Sequence, residues 1–140
     1  MTRLHLNGER LRRVLSSALV VSFGLLVSCG GEEAEPVSPD TTDGGELFAL
    51  RALGGEPGCV TCHSTEADHV LVGPSLAGVG ARAGDRVADL DVESYLRESI
   101  LDPRAYSVDG FDPDKMPTSF GRILSPDQVD ALIDYLLELE

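Results

Sequence analysis

Residues 57–64 read "PGCVTCHS" and put Cys59, Cys62 and His63 within five consecutive positions. Two thiols and an imidazole this close together have three chemical uses: a redox dithiol, half of a structural metal site, or attachment of a porphyrin. Each use needs a different neighbourhood. The surrounding residues therefore choose among them, and the choice decides the fold.

A thioredoxin-like dithiol needs a strand leading in and a helix leading out of a βαβ unit. Here a loop bearing Gly54, Gly55, Pro57 and Gly58 leads in, and no run reads as a convincing strand. A structural zinc ion needs four ligands; with both cysteines used, only His69 remains nearby. Covalent attachment of haem fits better. Two thiols separated by two residues reach one edge of a porphyrin within a single turn, and the adjacent histidine swings beneath the ring to bind the iron. The chain has only three cysteines, so with Cys29 accounted for below no thiol is left over.

Outward toward the N-terminus, Arg3, Arg10, Arg12 and Arg13 face a single Glu9, and an apolar or small run follows from Val14 to Val27. A basic segment before an apolar stretch of this length reads as an export signal; it is short for a membrane span. The run ends "LLVSCG", where Leu26-Val27-Ser28 precede Cys29. This resembles the lipobox of bacterial lipoproteins, whose cysteine is lipidated and becomes the new N-terminus. The competing reading is an uncleaved anchor helix with a bystander cysteine. Both place the remainder outside, on the periplasmic side, attached to a membrane; one acyl chain gives marginal binding and two or three give a stable anchor. Export also matches the bacterial compartment of haem attachment.

The expected organisation is a signal peptide over 1–28, a lipidated cysteine with a flexible acidic linker over 29–43, and a single domain over 44–140. Residues 30–43, "GGEEAEPVSPDTTD", lack apolar periodicity and would spread over roughly 20 Å as a coil. The whole chain carries −13, with 11 basic against 24 acidic residues, which makes nucleic acid a poor partner. Without residues 1–28 it holds 7 basic against 23 acidic residues, or −16. That charge serves solubility or docking to a redox partner with a basic surface.

Three segments of the domain have helical period. "GGELFALRAL" gathers Leu47, Phe48, Leu50 and Arg51 before the Gly54-Gly55 pair. "DVESYLRESILDP" sets Val92, Tyr95, Leu96, Ser99 and Ile100 on one face and ends before Pro103. In "SPDQVDALIDYLLELE", Ser125 and Gln128 fit a capping box and Pro126 the first helical position. Val129, Leu132, Ile133, Leu136 and Leu139 form its apolar face. Long loops over about 54–74 and 102–124 separate these helices, more loop than so small a domain carries unless a non-protein group fills its centre. The fold class is all-α, helices and loops around one buried group.

An iron held by His63 from below needs a sixth ligand. Met116, in "DPDKMPTSFG", lies far enough along the chain to return over the opposite face. His69 is the rival, but six residues past His63 it would have to reach round the ring; a third reading has Met116 merely packing.

The order "CVTCH", "GPSLAGVGAR", "YLRESILDPRAY", "KMPTSFG" and "LSPDQVDALIDYLLEL" resembles a class I cytochrome c over residues 44–140. The middle and last pieces are especially similar to the cytochrome c domain appended to subunit II of some haem–copper oxidases, here without the copper domain or membrane helices of those proteins. The resemblance implies a small cytochrome c fold with one covalent haem c, thioether bonds at Cys59 and Cys62, and His63 and Met116 as the two axial iron ligands. It implies that Pro74 aims its carbonyl at the second nitrogen of His63 and that Arg82 contacts a haem propionate. It also implies that Gly44 and Phe48 cross Tyr135 where the first helix meets the last.

The function so implied is carriage of single electrons between respiratory-chain partners, a terminal oxidase among them, by a protein that is not itself an enzyme. The rivals are a fixed haem subunit of a larger oxidoreductase complex, and a haem sensor or peroxidase whose Met116 dissociates. Cys29→Ala is expected to abolish lipidation, read as loss of acyl mass in the intact protein, and to leave the haem-binding domain unchanged.

Overall fold

The computed structural model describes residues 39–139; the expected signal peptide, the lipidated Cys29 and most of the linker lie outside them. α1 (Gly44–Ala49) starts at Asp43, whose carboxylate accepts the Glu46 N–H at 2.8 Å. The sequence predicts this helix as far as the Gly54-Gly55 pair, but it stops at Ala49. Leu50 is extended, and Ala52–Leu53 (β1) pairs antiparallel with Glu56–Pro57 (β2). The reason lies in the glycines: both take positive φ, +55° and +92°, which matches a two-residue hairpin turn better than a helix end. The absence of strands expected from the sequence is corrected by this one short hairpin.

The hairpin aims the chain at the cysteines. Gly58 N–H donates to Arg51 O at 2.9 Å, and a Cβ at Gly58 would lie 1.8 Å from Leu50 O, so no other residue fits this crossing. The single turn α2 (Cys59–Cys62) follows directly. Farther on come α3 (Val79–Arg82), a 3-10 turn over Ala83–Asp85, α4 (Val92–Leu101), α5 (Phe120–Ile123) and α6 (Pro126–Leu137). The two long loops of the sequence reading thus contain α2 and α5, helices too short to show a period.

The capping box of α6 is formed in both directions: Gln128 N–H donates to Ser125 Oγ at 3.2 Å, and Ser125 N–H to Gln128 Oε1 at 3.0 Å. Val129, Leu132, Ile133 and Leu136 are buried, while Leu139 lies past the helix end and only partly covered. α4 is capped by Asp91, which accepts from Ser94 N–H at 2.7 Å. That hydrogen bond holds the Asp91 carboxyl below its ordinary 3.8. The cap therefore supports α4 at pH above that ordinary value and is lost as the pH falls through the lowered one.

α1 crosses α6 with almost no gap. A Cβ at Gly44 would sit 2.0 Å from Ala131 O and 2.8 Å from Tyr135 Cβ, and the Phe48 and Tyr135 rings pack at 5.4 Å between centroids. α3 reaches α6 through Gly80, where a Cβ would meet Leu137 O at 2.5 Å. Leu47, Phe48, Leu96, Ile100, Leu132 and Leu136 close the core between the helices. The Arg97–Asp130 pair between α4 and α6 (2.7 Å) is exposed and adds at most about 1 kcal/mol. Gly44→Ala is expected to pry α1 from α6 and cost about 1–3 kcal/mol, the usual penalty of overpacking, read as a lower guanidinium midpoint of the haem-loaded protein.

Candidate functional site

α2 is one turn, so Cys59 and Cys62, three apart, lie on neighbouring positions of one helical face. Thr61 Oγ1 donates to Gly58 O at 2.6 Å and His63 N–H to Cys59 O at 2.9 Å, which fixes the turn at both ends. Neither cysteine is in a disulfide. Burial pushes the Cys59 thiol up to about 11, so without its partner group it stays protonated.

His63 leaves the turn in extended conformation, φ −119° and ψ 139°. Its Nδ1 lies 2.9 Å from Pro74 O. A carbonyl only accepts, so Nδ1 carries the hydrogen, and in the neutral ring Nε2 keeps its lone pair. Burial lowers the pKa of this ring, opposed in part by the Pro74 bond. Neutral imidazole is the form that binds a metal, and a carbonyl on its other nitrogen orients it. Beside it stands Gly73, where a Cβ would lie 2.5 Å from His63 Cε1 and 3.0 Å from Nε2. Only glycine leaves room for the ring. Gly73 was within the quoted "GPSL" stretch but drew no role from the sequence; a glycine placed directly before the histidine's carbonyl partner was the available signal.

Two adjoining cavities open beside this imidazole. One, about 810 Å³ including its open mouth, is lined by Cys59, Cys62, His63, Pro74 and Met116, with Tyr95, Tyr106, Phe111 and Phe120. The other, about 550 Å³, is lined by Cys59, His63, Met116 and Phe120, with Phe48, Leu76, Ile100, Leu124, Leu132 and Leu136. Four residues line both, so the two form one cleft reaching from the surface into the helical core. A cleft walled by apolar side chains, with two thiols, an imidazole and a thioether on its wall, fits a covalently held haem. Phe120 and the pair Tyr95–Tyr106 (5.8 Å, edge-on) are wall residues that sequence reasoning left to the core or did not single out.

Arg82 and His69 stand apart. The Arg82 guanidinium donates to Ser75 O at 2.5 Å and also to Ala77 O, and it lines neither cavity. His69 Nδ1 lies 3.3 Å from Ser64 Oγ and 3.4 Å from the Glu66 carboxylate, also outside the cleft. Among the described residues, no group of three or more His, Cys, Asp or Glu side chains is arranged to hold a metal ion. No described helix is long and apolar enough to cross a membrane.

The family model described as Cytochrome c matches residues 42–140. The chain is 33% identical over 90 residues to cytochrome c2 iso-1 of Magnetospirillum fulvum, a match covering 56% of this chain and 87% of that one. It is 35% identical over 94 residues to cytochrome c2 iso-2 of Magnetospirillum molischianum, covering 59% and 91%. Gly73→Ala is expected to keep covalent haem, seen by mass, while displacing the imidazole, seen as carbon monoxide binding to the ferrous variant and not to the parent.

Proposed function

The chain belongs to the cytochrome c family, and from that premise we propose a carrier of single electrons tethered to the periplasmic face of a bacterial membrane, serving respiratory-chain partners with a terminal oxidase as acceptor. Haem c, bound covalently and once per chain, supplies the ferrous–ferric couple. In this reading Cys59 and Cys62 would form the thioethers, and His63 and Met116 would hold the iron. One observation carries the reading: Cys59, His63 and Met116 line both halves of one apolar cleft, although Met116 is 53 residues beyond His63 in the chain.

What the residues do follows from their surroundings. Pro74 O orients the His63 ring through Nδ1 and raises its basicity. Arg82 clamps Ser75 and Ala77 immediately after Pro74, and contact of its remaining N–H groups with a propionate belongs to the same proposal. A thioether and an imidazole as ligands would favour ferrous iron and raise the potential. The apolar walls keep solvent from reorganising as the charge on the iron changes.

The resemblance to oxidase-appended domains supports the terminal oxidase as acceptor, and the lipobox-like "LLVSC" supports the tether. The −16 of residues 29–140 favours a redox partner with a basic docking face, reached faster at low salt than at high. A sensor or peroxidase gains no support, because His69, its candidate acid–base group, lies outside the cleft.

A pyridine-haemochrome spectrum with intact mass, taken on the membrane-extracted protein, tests attachment and lipid in one sample. A colourless product would end the reading. Met116→Ala is expected to retain haem, lower the midpoint potential and admit external ligands; an unchanged spectrum would remove Met116 from the ligand set.

A further inference from the structure

Beside the cleft, Val70 (57% exposed) and Leu71 (41%) stand in solvent, followed directly by Val72 (52%) on the cleft wall. Single exposed apolar residues are ordinary, but a contiguous exposed run has a stability and solubility cost that a functional contact offsets.

The loop that carries them is tied down. Gly73 N–H donates to Cys62 O at 2.8 Å, Leu76 N–H to Ser64 O at 2.8 Å, and Ser75 Oγ to Glu66 O at 2.7 Å. These three bonds close the two ends of the loop on each other and on the haem-attachment turn, leaving 67–72 to project. Apolar residues on a preformed loop lose little freedom when a partner covers them.

The place of the loop says what covers it. Val72 lines the cleft, and so do Asp112 and Lys115, which pair with each other at 3.8 Å. Exposed carboxylates flank the site, Glu66 and Asp68 along the loop and Asp109 and Asp114 near Asp112, against Lys115 and Arg104, both paired with aspartates. A surface with an apolar centre and an acidic margin, at the mouth of the cleft, suits a partner with the opposite margin. A second copy of this acidic chain would be repelled, and so would an anionic bilayer.

We infer that Val70, Leu71 and Val72 are the apolar contact point for a redox protein whose docking face is apolar at the centre and basic at the rim. This rests on the electron-carrier reading above. Charge governs how often the two meet, and the strip governs how long they remain in register for transfer.

The test uses the full, haem-loaded chain and the double variant V70S/L71S; Val72 is spared because it lines the cleft. Two rates are measured by stopped flow across a range of salt: electron exchange with a soluble cytochrome c of net positive charge, and oxidation by ferricyanide. The variant is expected to exchange with the basic cytochrome about fivefold or more slowly. Its salt dependence, its spectrum and its ferricyanide rate are expected to match the parent. Equal exchange rates in parent and variant would overturn the inference, as would an equal fall in the ferricyanide rate, which would place the defect at the haem. A loss confined to binding of phosphatidylcholine vesicles would also overturn it, making the strip a membrane contact. A chain without haem fails the carrier reading instead, a result visible in the spectrum before either rate is measured.

Discussion

The hydrogen bond between His63 Nδ1 and Pro74 O spans eleven residues and joins two jobs. On one side it fixes the tautomer of the imidazole that faces the cleft. On the other it helps close the loop that projects Val70, Leu71 and Val72. The same short frame, with Gly73 N–H on Cys62 O, therefore sets both the orientation of the imidazole and the base of the candidate docking loop. The loop and the imidazole meet at Gly73 and Pro74, and only a glycine at 73 leaves space for the ring.

How much of this was legible in the sequence depended on the range of the signal. The α6 start was readable because its cap is local: Ser125, Pro126 and Gln128 state it within four residues. The CVTCH turn was readable for the same reason, since its spacing is its chemistry. The end of α1 was not, because Leu50 and Arg51 continue the helical period while the Gly54-Gly55 pair turns the chain into a hairpin. Local propensity and tertiary need conflicted there, and the hairpin prevailed by delivering the chain to Gly58. Gly58, Gly73 and Gly80 were invisible as contact points, because what they touch is distant backbone or a ring. An absent side chain leaves no pattern to read. Arg82 is a further case: the resemblance implies a propionate contact for it, and its guanidinium also donates to Ser75 O and Ala77 O, bonds that no local pattern announces.

The small core and the large cleft are two views of one fact. Leu132 and Leu136 of α6, Ile100 of α4 and Phe48 of α1 are core residues, yet each also faces the inner cavity. Left open, a void with such walls forfeits the contacts that packed side chains would make, at a cost that rises with its volume. Chains this short bury little apolar surface to begin with. Haem bound through two thioethers supplies the missing contacts and cannot leave by dissociation, so the cofactor is a structural element as much as a redox one.

The acidic charge and the apolar strip act over different ranges. The one carboxylate on the cleft wall, Asp112, is exposed, since a buried charge would be costly, and the surface carries the long-range field. That field acts before contact and weakens with salt. It brings a basic protein to this chain without selecting one face of it, because acidic residues are spread along the whole domain. Orientation needs a short-range feature present in one place only, and among the described residues the contiguous exposed apolar run beside the cleft is that feature. Electron transfer falls steeply with distance, so a docking surface that holds a partner at the cleft mouth gains more from position than from strength.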